Sequence, residues 1–177
     1  MSLPNGKDLI SAGKRDLTRV NDMADNIIVA VFSSASPAYE MAKAVMALKD
    51  SRGSGLKFKS GIIVSKDARG DVSVLESDAH PFRGMKVGAA VGGLIGLIGG
   101  APIAAIGALL GSTMGAIGGA GTAILSSATV SSIKKAMEPG TVAVIVEAEE
   151  ENPAAIDDIV ARQGGRVYRE AARGPVA

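Results

Sequence analysis

The sequence predicts an α+β fold, a sheet domain built from β-α-β units into which a helical hairpin is inserted. Three observations lead there. Runs of β-branched residues, Asn26–Phe32 (NIIVAVF) and Thr141–Glu147 (TVAVIVE), are each followed by a Ser-Pro or Asn-Pro step that opens a helix. Residues 87–133 contain no Asp, Glu, Lys or Arg. From just before that stretch glycine recurs every fourth residue, at Gly84, Gly88, Gly92, Gly96 and Gly100, then at Gly107, Gly111, Gly115 and Gly119.

The elements follow in chain order. Residues 1–24 read as a flexible N-terminal arm, because charged residues interrupt a short apolar stripe of Leu9, Leu17 and Val20. Asn26–Phe32 is a buried strand. Ser36-Pro37 caps and starts a helix over Pro37–Lys49, with Tyr39, Ala42, Val45, Met46 and Lys49 near one face. Leu56–Ser65 and Asp71–Leu75 form two strands around a hairpin turn at Asp67–Gly70 (DARG). The first glycine helix ends at Gly99-Gly100-Ala101-Pro102, and a second runs from Pro102 to about Met137 with a break near 118–121. Pro139-Gly140 stops it. After the strand Thr141–Glu147, the acidic run Glu147–Glu151 reads as a solvated strand end. Asn152-Pro153 starts a helix through Gln163 with Ala155, Ile156, Ile159 and Val160 inward, Gly164-Gly165 ends it, and Arg166–Tyr168 begins a last strand.

The order β-α-β-β, hairpin, β-α-β predicts a ferredoxin-like sheet domain, residues 25–78 and 141–177, with a glycine-zipper hairpin over 79–140. The last α-β unit either extends this sheet or pairs with another subunit. Residues four apart share one helix face. Glycine weakens an isolated helix by roughly 1 kcal/mol against alanine. Nine glycines on one register therefore imply helix backbones pressed together, within the hairpin or between copies.

Composition narrows the function. Apolar residues make up 47% of the chain but aromatics only 3%, and Phe82 alone stands beside the glycine segment as an interfacial anchor. A net charge of +1 gives no field for nucleic acid. The absence of cysteine excludes a disulfide framework, a thiol nucleophile and a thiolate metal site. Residues 1–24 carry no secretory signal pattern.

The Gly99–Pro102 turn, Pro139-Gly140-Thr141 with Val146, and Gly164-Gly165 resemble the bacterial DUF1269 family, a domain of unknown function often described as a membrane protein. The resemblance spans about residues 25–170. It implies a membrane link and carries over no activity and no catalytic residue.

No site chemistry emerges from the residues. There is no phosphate-binding glycine loop, and Gly119-Ala120-Gly121 lacks both a preceding strand and the third glycine of a dinucleotide fingerprint. His80, the single histidine, sits with Asp78 and falls short of a metal or acid-base site. Ser126, Ser127, Thr129, Ser131 and Ser132 have no adjacent base, and fit hydrogen bonds back to helix carbonyls or to a neighbouring helix instead. The expectation is a protein without enzyme activity or cofactor.

Two environments suit the apolar segment. Its length approaches two passes of about 20 residues, and Arg83 and Lys86 before it with Lys134 and Lys135 after it place both flanks in the cytoplasm. A first helix over residues 84–99 is only about 24 Å long, short of a hydrocarbon core of about 30 Å. The expected function is a self-assembling, membrane-associated protein of the bacterial cytoplasmic membrane. Its partners would be itself and membrane lipid. The alternative is a soluble, cytoplasmic homo-oligomeric scaffold or small-ligand module with the hairpin buried in the assembly.

Overall fold

The computed structural model describes residues 25–75, 81, 82, 85, 87, 89–99 and 126–171. The elements are β1 (Asn26–Phe32), α1 (Ala35–Asp50), β2 (Leu56–Lys66), β3 (Val72–Val74), α2 (Ala89–Gly99), α3 (Ser127–Ala136), β4 (Val142–Glu150), α4 (Pro153–Arg162) and β5 (Arg166–Ala171). Together they form an α+β fold around one antiparallel five-stranded sheet, in the order β3-β2-β4-β1-β5. β4 lies between β1 and β2, and β1 lies between β4 and β5. Each β-α-β unit thus leaves a gap that a strand of the other unit fills. The last α-β unit extends this chain's own sheet, through β5 on β1.

The central strands are buried on both faces, which is why β1 and β4 read as nearly continuous apolar runs. On one face Ile28, Ala30, Phe32, Val142, Val144 and Val146 meet α1 and α4. On the other, Ile27, Val29, Val31, Ile62, Val64 and Ile145 meet α2 and α3. The helices at the two ends of the glycine segment are therefore one of three layers. Val91, Leu94, Ile95, Ile133 and Met137 belong to the sheet's own core.

Local chemistry explains the boundaries. In α1, Ala38, Met41, Ala42 and Val45 are buried at helical spacing. The helix starts earlier than the Ser36-Pro37 signal suggests, with Ser34 at the cap position and no side-chain cap bond. Of the expected face, Ala42 and Val45 are buried and Tyr39 and Met46 pack against the same core, Ala38 and Met41 join them, and Lys49 is exposed. Asp67 organises the β2–β3 turn: its Oδ1 accepts from Arg69 N at 2.8 Å and Asp71 N at 2.9 Å, and Gly70 takes φ +90°. Asn152 caps α4 by accepting from Ala154 N, with Pro153 in the first turn. After α4, Gly164 turns the chain at φ +70°. Gly165 then packs where a Cβ would lie 2.8 Å from Phe32 Cδ1 and from Val160 Cγ1.

Two further expectations change. Phe82 is buried and stacks on Phe58 with ring centroids 5.4 Å apart, so it is a core residue rather than an interfacial anchor. A helix begins at Ser127, inside the stretch from Pro102 to Met137, whose expected break near 118–121 lies outside the described residues. Ser126 is extended there and its side chain caps the new helix, whose first-turn N–H groups would otherwise lack partners.

Candidate assembly surface

α2 has two unlike sides. Val91, Leu94 and Ile95 are buried on the sheet. Leu97, off that buried stripe, is 52% exposed and is the exposed large apolar side chain among the described residues. A Cβ on Gly96 would meet nothing within 4 Å, and one on Gly92 only Val87 Cγ1 at 4.0 Å. α2 and α3 do pack together, yet no described backbone presses on these two glycines. The other predicted stripe residues, Gly84, Gly88, Gly100, Gly107, Gly111, Gly115 and Gly119, lie outside the described residues, as do Arg83, Lys86, Asp78 and His80.

α3 is clasped at both ends. Its first turn is held by Glu170 of β5, which accepts from Ser126 N at 3.0 Å and from Ser126 Oγ at 3.1 Å. With its proton on Glu170, the Ser126 hydroxyl accepts from Thr129 N at 3.2 Å and lies 3.0 Å from Thr129 Oγ1. At the other end Lys66 Nζ donates to Met137 O at 2.9 Å. Lys134 and Lys135 are exposed in the last turn, where the helix dipole favours positive charge. The apolar segment thus returns to the sheet through polar contacts on β2 and β5. Ser126 ahead of a helix is a local cap signal, but its acceptor on β5 is visible only in the fold.

The acidic run on β4 alternates between faces instead of forming a solvated end. Glu150 is 1% exposed and takes a two-point grip from Arg169, Nε at 2.7 Å and Nη2 at 3.1 Å. Arg169 also binds Asp157 of α4 at 2.7 Å and the Pro153 carbonyl, and Asn26 Nδ2 donates to Glu150. Burial opposes the Arg169 charge, but the bonds to Asp157 and Glu150 outweigh it and raise its pKa above the usual arginine value. On the other face Glu147 accepts from the buried Ser60 hydroxyl at 3.0 Å. Glu149 pairs with Lys57 at 2.8 Å and Lys59 at 3.2 Å. Those bonds, Lys57 first, hold the Glu149 carboxyl below its ordinary value. Lys59 is raised above the ordinary lysine value chiefly by its bond to Asp25, with burial opposing. Among the described residues no three His, Cys, Asp or Glu side chains form a metal-holding group.

A family profile described as protein of unknown function (DUF1269) matches residues 80–172, more than half of the chain. The chain belongs to the DUF1269 family. No curated protein and no solved structure matches it. The DUF1269 match takes in α2, α3 and the β4-α4-β5 unit. It begins later than the resemblance read from the sequence, because β1, α1, β2 and β3 precede it. The DUF1269 region therefore contains both the apolar segment and the Glu170 and Arg169 contacts that fasten its surroundings.

Proposed function

We propose that this DUF1269 chain is a non-enzymatic, self-assembling protein that associates with the bacterial cytoplasmic membrane through its glycine-rich segment, the sheet domain facing the cytoplasm. The two-sided character of α2 carries this reading: one stripe is fixed on a rigid sheet, while off it lie the exposed Leu97 and two glycines, Gly92 and Gly96, against which no described backbone packs. Such a helix suits lying on an apolar surface. At 11 residues α2 is about 16 Å long, and among the described residues no helix is long and apolar enough to cross a membrane. The exposed Lys134 and Lys135 add attraction to anionic headgroups. The strand order supports a ferredoxin-like scaffold, since two β-α-β units interleave in one antiparallel sheet. The open Gly92–Gly96 stripe supports the glycine-zipper reading, since it leaves room for another helix backbone. The absence of enzyme activity rests on residue types: no cysteine, and a single histidine.

A soluble homo-oligomeric scaffold or small-ligand module is the second reading. It is favoured by Val91, Leu94, Ile95, Ile133 and Met137, which share their core with the sheet. Fractionation of cells producing the protein at native level, a carbonate wash and flotation with anionic vesicles separate the two. Recovery with membranes and vesicles is expected. A protein that remains in the soluble fraction, ignores vesicles and elutes as a defined oligomer without detergent refutes membrane association and leaves the second reading.

A further inference from the structure

The two edges of the sheet are not alike. At one edge β3 covers only Val64–Lys66 of β2. The remaining outer edge of β2 is broken by a bulge between Phe58 and Ser60 and carries the exposed Lys57 and Lys59. Bulges and lysines are devices that block edge-to-edge pairing. At the other edge β5 pairs with β1 over Arg166–Val31 through Ala171–Asn26 without a register shift. Among the described residues no strand lies beyond it. β5 carries neither bulge nor proline.

The β5 sequence is complementary to itself. We infer that two copies of this chain join through β5, antiparallel about a two-fold axis at Tyr168, so that one sheet continues across both chains. With the axis normal to the sheet, each face continues into the same face of the second copy, and opposed residues must share a face. Centring the pair on Tyr168 meets that condition. Arg166 then faces Glu170 of the other copy, twice by symmetry, and Tyr168 meets Tyr168. Arg166 is exposed. Within its own chain Glu170 is held by Ser126, which fixes the carboxylate on β5. Opposite charges and aromatic pairs directly across antiparallel strands are favourable, and like charges are not. The β5 contact rests on the self-assembly proposed above and adds to it a second contact between copies, separate from the glycine segment.

Because the chain has no cysteine, Tyr168→Cys in the full protein introduces a single thiol. Directly opposed Cα atoms lie about 4.5–5.5 Å apart, within disulfide range. Mild oxidation should give a covalent dimer, while Lys57→Cys on the blocked edge stays monomeric. An unlinked Tyr168→Cys protein, or equal linking through Lys57→Cys, overturns the inference. A second arm leaves Tyr168 in place. Arg166→Glu should weaken dimerisation about tenfold or more in low salt, because two attractive pairs become repulsive. Mixing Arg166→Glu chains with Glu170→Arg chains restores both pairs and should yield a mixed dimer by sedimentation. Equal dimer constants for parent and Arg166→Glu, or no mixed dimer, overturn it. Adding Gly92→Leu and Gly96→Leu to Tyr168→Cys separates the two contacts. A cross-link that persists supports β5 pairing whatever the vesicle result, and a cross-link lost with the glycines overturns it.

Discussion

Replacing Arg169 by methionine tests how the C-terminal β-α-β unit is locked. Arg169 bridges β5 to Glu150 on β4 and Asp157 on α4. Asp157 is 42% exposed and can rehydrate, but Glu150 at 1% cannot. Arg169→Met leaves the Glu150 carboxylate with Asn26 Nδ2 at 3.3 Å as its remaining donor among the described contacts. Removing one partner of a buried pair costs about 3–5 kcal/mol. Arg169 is itself 20% exposed, so water can enter the vacated space, which places the loss near the lower end, about 3 kcal/mol. For a chain of this size that is a fall of roughly 6–12 °C in Tm. The double variant Arg169→Met with Glu150→Gln removes the stranded charge and should recover about 1.5 kcal/mol or more relative to the sum of the singles. Urea denaturation followed by circular dichroism, at one protein concentration, measures both. If Arg169→Met unfolds within about 0.5 kcal/mol of the parent, or the two changes simply add, the lock does not hold the unit.

Gly165→Ala should destabilise by about 1–3 kcal/mol, because its methyl meets Phe32 and Val160 in the core; the same denaturation assay reads it. Gly96→Ala should stabilise the protein by up to about 1 kcal/mol where its methyl meets open space, and should destabilise the assembled form where another backbone occupies the stripe, so measuring both with and without vesicles separates the environments. The lowered pKa of Glu149 means a contribution present above the unfolded carboxylate value and lost as pH falls through the lower folded value; Glu149→Gln should flatten the acid limb of a stability-versus-pH curve. Lys59 has the opposite sign: its contribution is complete below its ordinary 10.5 and fades as pH rises through the raised value, so Lys59→Met should flatten the alkaline limb.

The sequence by itself determined the elements whose signals are local. β-Branched runs wrote β1 and β4, Asn152-Pro153 and Gly164-Gly165 bounded α4, and Asp67–Gly70 closed the hairpin, because each depends on side-chain sterics or a bond within a few residues. The charge-free stretch and its glycine period were likewise plain, and they lie within the family match. Tertiary structure decided what depends on pairing. Only the order β3-β2-β4-β1-β5 makes β1 and β4 central and turns the two faces into separate cores. Glu150 becomes buried because register puts it opposite α4, whereas Glu149, one residue away, faces the other side. Ser126 starts a helix because Glu170, distant in sequence, supplies its acceptor. A strand's alternation fixes which residues share a face, but not which face lies inward or which strand lies alongside. Those follow from the burial of apolar area over the whole sheet, and local sequence does not encode that sum.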